Sequence, residues 1–355
     1  MKKPKIIALL FTAMFVFQYC SKKSNTETTT TPTSTSPTLP STTYSYVVSY
    51  PTHVQNALAD ADNTPSDNLI TNDGATLGRV LFYDKQLSKN NTISCASCHK
   101  PENAFDDNLA LSKGFEGGLT SRNSMAILNL RFYKNGKMFW DERAGTLEKQ
   151  VLQPIQNHIE MGLTLDELET KVKALNYYPS LFQKAFGSTL IDSTKIAKAL
   201  AQFTRSIVTY QAKYDRVKQG LETFTPAEAQ GEQLFLNAGA PTTCASCHTP
   251  PMFITSTPIQ GFGLADANDS GINGQRRFKS GSLRNIGTRT NLFHNGSIPN
   301  LQAMLTAGAP GSNLPPIGQH SVAPQDVTPI IAFLNTLTDN TILSEAKFSN
   351  PFIKQ

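Results

Sequence analysis

Apolar positions along the middle of the chain repeat every three or four residues, which is the period of an amphipathic helix. The first such face is formed by Leu165, Leu168, Val172 and Leu175. Thr164 and Glu167 stand at its start with the spacing of a capping box, which predicts that a helix begins there. A second face of the same period is formed by Ile196, Ala199, Leu200, Phe203 and Ile207. The central part of the chain is therefore predicted to be helical.

The last third of the chain predicts two further helices joined by long loops. Thr225-Pro226-Ala227-Glu228 supplies an N-cap residue, a proline at the first helical position and an acidic first turn, so a helix is predicted from there through Phe235. The last predicted helix has the apolar positions Val327, Ile330, Ile331, Leu334 and Leu337. Segments 251–300 and 307–325 are rich in Gly, Pro and Asn and are predicted loops. Because alternating strand patterns are scarce, the predicted fold class is mainly α.

The N-terminal segment has the composition of an export signal. Three lysines within the first five residues precede the apolar stretch 6–19, which is too short to cross a bilayer comfortably as a helix. Residues 1–19 are therefore predicted to be a signal peptide. Cys20 follows directly, as the lipidated cysteine does in bacterial lipoprotein signals. A plain secretory signal is the alternative, because Phe17-Gln18-Tyr19 lacks the small residues usual at that place.

Ser, Thr and Pro dominate residues 24–43, which cannot bury enough apolar surface to order themselves. Residues 20–48 are therefore predicted to be a lipidated cysteine with a flexible tether behind it. The predicted location is the periplasm, and the membrane is reached only through the lipid anchor on Cys20. The net charge of +5 includes the N-terminal lysines, and no basic cluster remains that would indicate a nucleic-acid partner.

The four remaining cysteines fall into two identical pentapeptides. These are Cys95-Ala96-Ser97-Cys98-His99 and Cys244-Ala245-Ser246-Cys247-His248. C-x-x-C-H is the signature of covalent haem attachment, because the two cysteines reach the two vinyl groups of one porphyrin and the adjacent histidine falls under its iron. We therefore predict two haem c groups, with thioether bonds from Cys95, Cys98, Cys244 and Cys247 and with the proximal ligands His99 and His248.

Other uses of these motifs fit the sequence less well. Paired C-x-x-C motifs of zinc sites usually lie about 15–20 residues apart, whereas 149 residues separate Cys95 from Cys244. A redox C-x-x-C motif needs no following histidine, and a disulfide within one turn would constrain little. The wide separation predicts two modules, residues 49–218 and 219–355, each a cytochrome c-like domain around one haem.

Further short motifs follow one another in a fixed order between Gly78 and Leu337. They are Ser94–His99, Arg122-Asn123-Ser124, Phe139–Ala144, Gln150, Glu160-Met161-Gly162, Cys244–His248, Leu283-Arg284-Asn285 and Phe293-His294-Asn295-Gly296. Each is weak alone, but their order and spacing together resemble the bacterial di-haem cytochrome c peroxidases and their MauG-like relatives. The resemblance implies a peroxidatic haem in the N-terminal domain and an electron-input haem in the C-terminal domain.

The resemblance also implies roles for three residues near the N-terminal haem. Glu160 matches the distal glutamate, a carboxylate that moves a proton during O–O cleavage. Gln150 matches the distal glutamine, an amide that can hydrogen-bond the bound oxygens. Trp140, the only tryptophan, matches the residue that assists electron transfer between the haems. By residue type alone these would be a solvated charge, a helix-surface amide and a core aromatic.

A calcium ion between the two domains is a further implication of the resemblance. Asn123 matches the side chain that ligates this ion, with backbone carbonyls near Ser280–Ser282 as further oxygen ligands. The proline that the family has in that second segment is replaced by Gly281.

Two positions depart from the family pattern. In peroxidases that require reductive activation, a histidine eight residues before the asparagine caps the resting peroxidatic iron, and here that position is Phe115. We therefore predict an N-terminal haem that is five-coordinate or water-bound at rest. The sixth ligand of the C-terminal haem is Met or Tyr in the family, and here that position is Gly308. Met304, four residues earlier on the same predicted helix, is the ligand we predict, and an ordinary core methionine is the alternative.

The favoured function is reduction of hydrogen peroxide to water by a cytochrome c peroxidase, with electrons from a small cytochrome c or a cupredoxin. The first alternative is a MauG-like oxidase that acts on a protein or an organic substrate, since those relatives also lack the capping histidine. The second alternative is an electron-transfer di-haem cytochrome without catalysis, which would leave Gln150 and Glu160 without a task. Family members are often dimers, so the resemblance is compatible with a homodimer.

Overall fold

The computed structural model describes residues 36–237, 243–255, 259–260, 269–314 and 320–353. The α-helices in these ranges are α1 Thr52–Ala61, α2 Asn72–Tyr83, α3 Cys95–Cys98, α4 Leu147–Gln150, α5 Gln153–Gln156, α6 Leu165–Ala174, α7 Tyr178–Phe186, α8 Ser193–Arg205, α9 Lys213–Lys218, α10 Pro226–Asn237, α11 Cys244–Cys247, α12 Leu301–Leu305, α13 Pro324–Asn335 and α14 Thr341–Ser344. The predicted signal peptide and Cys20 lie outside the described residues. No helix within the described ranges has the length and apolar character needed to span a bilayer.

Strand structure is slight in the part of the chain that the structure describes. β1 (Ile259–Gln260) pairs antiparallel with β2 (Arg277–Phe278). Short 3-10 helices connect several of the α-helices, at Lys85–Leu87, Pro101–Asn103, Leu130–Phe132, Ile272–Gly274, Ile286–Thr288 and Ala346–Phe348. The prediction of a mainly α fold is therefore confirmed.

The helices predicted from apolar spacing are present, with small differences at their ends. The capping box forms at α6, where Thr164 accepts from the Glu167 amide and Glu167 accepts from the Thr164 amide. The short helix α9, which precedes α10, begins only at Lys213. The reason is that the amides of residues 210 and 211 both donate to the Asp339 carboxylate, 3.0 Å away, instead of entering a helix.

Two pairs of crossing helices repeat the same arrangement in the two halves of the chain. In the first half α2 packs on α8, and a Cβ added to Gly78 would lie 2.0 Å from the carbonyl oxygen of Ala199. In the second half α10 packs on α13, and a Cβ added to Gly231 would lie 2.0 Å from the carbonyl oxygen of Pro329. Only glycine permits so close an approach of two backbones. Each half thus has one helix before its C-x-x-C-H motif and one after it, joined at a glycine.

Apolar side chains gather around each of these helix pairs. The first core includes Leu77, Phe82, Phe182, Leu200 and Phe203. The second core includes Phe235, Phe253, Leu301, Ile330 and Phe333. The end of the chain returns to the first core, where Ile342, Phe348 and Phe352 are buried. The domain boundary near residue 218 stays a prediction. Each C-x-x-C-H motif packs against one of the two cores.

Candidate haem sites and active-site cavity

Each C-x-x-C-H motif forms a single helical turn, α3 in the first half and α11 in the second. The amide of His99 donates to the carbonyl of Cys95 (3.0 Å), and that of His248 donates to the carbonyl of Cys244 (2.9 Å). Residues three apart on such a turn share a face, so the two thiols of each motif point the same way. Both pairs are half-buried thiols without a disulfide. This geometry fits two thioether bonds to one porphyrin.

The ring of His99 is held by hydrogen bonds to its Nδ1 atom. Nδ1–H donates to the carbonyl of Phe105 (3.0 Å), and the Ser124 hydroxyl oxygen lies 3.4 Å away. The Ser124 hydroxyl itself donates to the carbonyl of Cys98 (2.9 Å). Burial lowers the pKa of His99, so its imidazole is neutral. A neutral ring with Nδ1–H engaged leaves Nε2 to bind a metal, as in most histidine ligands.

The ring of His248 is held in the same way. Its Nδ1 atom lies 3.2 Å from the Ser280 hydroxyl, which donates to the carbonyl of Cys247 (3.1 Å). Burial, with a smaller contribution from His320, lowers the pKa of His248 to about 3. Both histidines are therefore neutral and oriented, which is the form that binds iron.

Sequence reasoning missed the groups that orient the two histidines. Phe105 and Phe253 have φ values of +58° and +52°, an uncommon conformation for bulky residues, and the carbonyl of Phe105 accepts from the His99 ring. In the sequence, Ser124 stands out only as a neighbour of Asn123, and Ser280 only as part of the segment whose carbonyls are predicted to bind calcium. A signal does exist, because each phenylalanine follows a C-x-x-C-H motif by five or six residues.

A cavity of about 80 Å³ lies against the first motif. It shares walls with a larger cavity of about 650 Å³, which is within the range of about 300–1,000 Å³ usual for small-molecule and cofactor sites. The walls of the smaller cavity include Phe82, Cys95, Cys98, His99, Leu130, Gln150, Glu160, Leu200 and Thr204. The two thiols and the histidine stand on one side of an otherwise largely apolar space. The residues present therefore fit a covalently attached haem.

Gln150 and Glu160, predicted as the distal pair, line this cavity together with His99. Gln150 is the last residue of α4, and Glu160 follows α5 in a loop. Burial raises the pKa of Glu160, against the smaller opposing effect of Arg143. A carboxyl group with a raised pKa, in a cavity that it shares with an amide, is suited to exchange a proton with a small oxygen substrate. The structure thus brings the two predicted residues to one place.

The second, larger cavity, partly open to solvent, continues from the same walls. It shares His99, Gln150 and Glu160 with the first cavity and extends to Trp140 and Asp269. At its edge Arg122 donates to both carboxylate oxygens of Asp269, at 2.7 and 2.8 Å. This contact joins a residue of the first half to a residue of the second half beside the route into the cavity.

Phe115 occupies the position where a capping histidine would stand. Its amide donates to the carbonyl of Glu160 (3.1 Å), and its ring packs on Gly162, where an added Cβ would lie 2.6 Å from it. Gly162 has φ +74°, so the loop turns sharply beneath the ring. The Phe115 side chain is directed at Gly162 and does not line the cavity at His99.

Trp140 has contacts towards both motifs. It lines the second cavity with His99, and its indole N–H donates to the carbonyl of Asn123 (2.9 Å). Its own carbonyl accepts from the amide of Lys279 (2.8 Å), the residue before Ser280, whose hydroxyl lies at His248. The chain of contacts therefore runs from the first site to the second through Trp140.

Asn123 is buried, and its side chain is fixed from one side only. Its Nδ2 atom donates to the carbonyls of Leu109 (2.7 Å) and Ala110 (3.3 Å). Within the part of the chain that the structure describes, Oδ1 is buried and accepts no hydrogen bond. Among the same residues, no group of three or more His, Cys, Asp or Glu side chains is placed to hold a metal.

Met304, the predicted sixth ligand, and His320 both belong to the second half of the chain. Met304 lies on α12, which ends at Leu305, and its half-buried side chain packs against the second core. His320 precedes α13, and its ring centre lies 6.4 Å from that of His248. Sequence reasoning did not single out His320, one of six histidines in the chain.

Helix pairs that enclose C-x-x-C-H turns, with a histidine turned into an apolar cavity, define the class of c-type cytochromes. A family model described as "Di-haem cytochrome c peroxidase" matches residues 72–223. The methylamine utilization protein MauG of Methylorubrum extorquens is 32% identical over 77% of this chain and 80% of its own length. Cytochrome c551 peroxidase of Nitrosomonas europaea is 33% identical over 75% of this chain and 80% of its own length.

The structural comparison agrees with the sequence comparison. A solved MauG-like protein associated with microbial copper homeostasis superposes with a TM-score of 0.74 and is 29% identical, over 87% of this chain and 99% of that one. The chain therefore belongs to the family of di-haem cytochrome c peroxidases and MauG proteins, which confirms the resemblance. Membership implies an oxidoreductase with haem c as its cofactor.

Proposed function

We propose that the protein is a cytochrome c peroxidase that reduces hydrogen peroxide to water with electrons from a small redox protein. The observation that carries the proposal is the pairing of Glu160 with Gln150 in the cavity at His99. Haem c held by Cys95, Cys98 and His99 would supply the iron that binds peroxide and passes electrons to it. Each turnover consumes one peroxide, two electrons and two protons and releases two water molecules.

Glu160 is the proton carrier in this proposal. Its carboxylate takes a proton from one oxygen of hydrogen peroxide and returns it to the other oxygen, which leaves as water. Burial raises the pKa of Glu160, which makes the carboxylate a stronger base than an exposed glutamate. Arg143 lowers that pKa in part and so keeps ionisation accessible.

Gln150 binds the substrate, and its neighbours exclude other ligands. Its amide N–H can donate to a peroxide oxygen as charge develops there. The surrounding walls, such as Ile127, Leu130 and Val151, are apolar and leave few competing polar groups. Because the Gln150 amide is neutral, it orients peroxide for cleavage of the O–O bond with Glu160 and does not attract anions as a positive charge would.

Electrons would enter at the second motif and pass Trp140. The contacts that support this route are those of Lys279 with Trp140 and of Ser280 with His248. The second haem, attached at Cys244 and Cys247, would then receive electrons from a small cytochrome c or a cupredoxin. Family membership implies donors of this kind.

We also propose a calcium ion at Asn123. The support is the buried Oδ1 atom, since a buried amide oxygen without a donor is costly unless a cation meets it. Carbonyls near Ser280–Ser282 would complete the oxygen ligands. Addition of a chelator should then lower peroxide turnover, and Ca²⁺ but not Mg²⁺ should restore it. Unchanged turnover after dialysis against a calcium chelator would oppose this site.

A MauG-like oxidase is the second candidate function. Phe115 in the capping position favours it. Such an enzyme would use the same Glu160 and Gln150 to activate peroxide but would oxidise a protein or an organic substrate. An electron-transfer cytochrome is the third reading, and it leaves the buried Glu160 without a role.

Steady-state consumption of peroxide with a reduced cytochrome c separates these functions. Wild type is compared with Glu160→Gln, and Glu116→Gln on the exposed part of the neighbouring loop is the matched control. Fast turnover that is lost only in Glu160→Gln supports the peroxidase. Slow turnover with a long-lived oxidised species supports the MauG-like oxidase, and no reaction with peroxide leaves electron transfer.

Export to the periplasm and a lipid on Cys20 complete the proposal. Their support is the N-terminal sequence alone. Cys20→Ser should move the protein from the membrane fraction to the soluble periplasmic fraction, without loss of haem. A wild-type protein that is soluble in the periplasm, with an N-terminus of unmodified mass, would oppose lipidation.

A further inference from the structure

The rings of His248 and His320 lie next to each other, edge to face. Their centres are 6.4 Å apart and their planes differ by 64°. The two ring centres are farther apart than those of the stacked pair Phe278 and His294, at 3.8 Å, and within the range of about 4.5–7 Å for edge-to-face pairs. Two metal–nitrogen bonds of about 2 Å each, with the half-widths of two imidazole rings, place the ring centres of a bis-histidine metal pair roughly 6 Å apart. The separation of the two ring centres therefore matches that of two histidines bound to one metal ion.

His248 and His320 are held in place by different segments of the chain. His248 ends the turn α11 and is fixed through Nδ1 by Ser280. His320 stands just before α13, and two residues later the amide of Val322 donates to the carbonyl of Leu305 (3.0 Å). The ring of Phe293 lies against His320 at 5.6 Å, edge to face. His320 is thus anchored between α12 and α13, on elements of the second core.

We propose that His320 is the sixth ligand of the haem attached at Cys244 and Cys247. Met304, which the sequence predicts for this role, packs its side chain in the second core. Of the two residues, His320 is the one whose side chain the structure places against His248. Imidazole is a common ligand for iron, and neutral histidine is its usual form in proteins.

A second histidine changes what this haem does. Methionine ligation raises the potential of a c-type haem, so histidine in its place gives a lower potential and a stronger reductant for the first site. Both axial positions of the second haem are then filled, which keeps peroxide away from it. Peroxide chemistry is thereby confined to the cavity of Glu160. The inference rests on the second haem of the proposed function, but not on which substrate the first haem oxidises.

Spectroscopy of the purified two-haem protein tests the ligand independently of activity. We expect the oxidised wild type to show one low-spin haem without the near-infrared sulfur-to-iron charge-transfer band. His320→Ala should lose this low-spin signal and gain a second high-spin haem. Added imidazole should restore the low-spin signal, with one more equivalent bound per chain than in the wild type. Met304→Leu is the matched control and should leave the spectrum unchanged. His320→Met, which keeps a ligand in place, should introduce the sulfur-to-iron band.

The opposite results would overturn the proposal. A sulfur-to-iron band in the wild type, or loss of the low-spin haem in Met304→Leu but not in His320→Ala, would assign the ligand to Met304. The wild-type spectrum decides even if His320→Ala fails to fold. Haem content, measured as pyridine haemochrome, separates this outcome from failure of the proposed function. Two haems per chain with a sulfur ligand contradict only His320, whereas fewer than two contradict the di-haem peroxidase itself.

Discussion

Arg284 and Asp215 form a two-pronged ion pair in which neither side chain is exposed. The Nη1 and Nη2 atoms of Arg284 lie 2.7 and 2.9 Å from the two carboxylate oxygens of Asp215. His53, on α1, lies 2.9 Å from the same carboxylate. Arg284 also donates to the carbonyl of Pro251, close after the second C-x-x-C-H motif. The pair therefore ties α1 and α9 to the backbone that surrounds the second haem site.

Arg284→Met should destabilise the protein, because the buried Asp215 would lose the charge that keeps it ionised. Burial alone would raise the pKa of Asp215, but Arg284 and His53 outweigh it and hold that pKa below its ordinary value. Removal of one partner from a buried ion pair typically costs about 3–5 kcal/mol. The Tm of the haem-loaded variant should fall, whereas Lys134→Met, which breaks the exposed pair with Asp60, should leave it unchanged. Equal Tm values would refute the role of the pair.

The same pair predicts how stability depends on pH. The folded-state pKa of Asp215 is lowered, so its contribution is present above the pKa of an unfolded aspartate and is lost as the pH falls through the folded value. Acid unfolding of wild type should therefore begin in the range below about pH 4. Arg284→Met should flatten this acid limb of the stability curve.

Gly78→Ala should weaken the contact between α2 and α8. The new methyl group would lie 2.0 Å from the Ala199 carbonyl oxygen, so one helix must move. Overpacking of this kind costs about 1–3 kcal/mol, which exceeds the gain of roughly 1 kcal/mol in helix propensity. Gly145→Ala, where nothing lies within 4 Å of the added methyl group, is the control. A thermal unfolding midpoint of Gly78→Ala at or above that of wild type would contradict the close helix contact.

The pH profile of peroxide turnover should report the ionisation of Glu160. Its pKa is raised above the ordinary 4.5 by burial, and the group must be ionised to accept a proton. We therefore expect kcat/KM to rise with pH along an acid limb whose midpoint lies above 4.5. In Glu160→Gln this limb should vanish together with most of the activity, while Glu116→Gln keeps it. An unchanged limb in Glu160→Gln would assign the ionisation to another group.

Phe115 should leave the first haem reactive at rest. Because its ring packs on Gly162 and not into the cavity, we expect a high-spin first haem in the fully oxidised protein and a reaction with peroxide without prior reduction. Electron paramagnetic resonance of the oxidised protein measures this. Two six-coordinate, low-spin haems with protein ligands would contradict it, whatever the identity of the ligand at the second haem.

Local signals could be predicted from the sequence, and contacts across the chain could not. The capping box of Thr164 and Glu167 and the start of α10 at Pro226 depend on neighbours within one turn, so their residues suffice. α2 escaped prediction because Gly74 and Gly78 lower its helix propensity. Both glycines leave room for residues far along the chain: Gly74 for the side chain of Gln202 and Gly78 for the backbone of Ala199.

The candidate site shows the same division. The thiols and histidines of the two motifs are contiguous and were predicted directly, whereas Glu160, Gln150 and Asn123 came from resemblance to a family. Only the structure shows that all three line one cavity with His99. The position of His320 against His248 depends on the path of a long loop, which no periodic pattern encodes. Its assignment as a ligand therefore had no basis in the sequence alone.

The most direct test of the whole account is the haem content of the exported, purified protein. We predict two haem groups per chain that remain attached in acidified organic solvent, with one on the peptide containing Cys95 and Cys98 and the other on the peptide containing Cys244 and Cys247. Mass spectrometry of the digested protein measures both. Porphyrin that is released into the solvent, or cysteine peptides of unmodified mass, would contradict the account at its base.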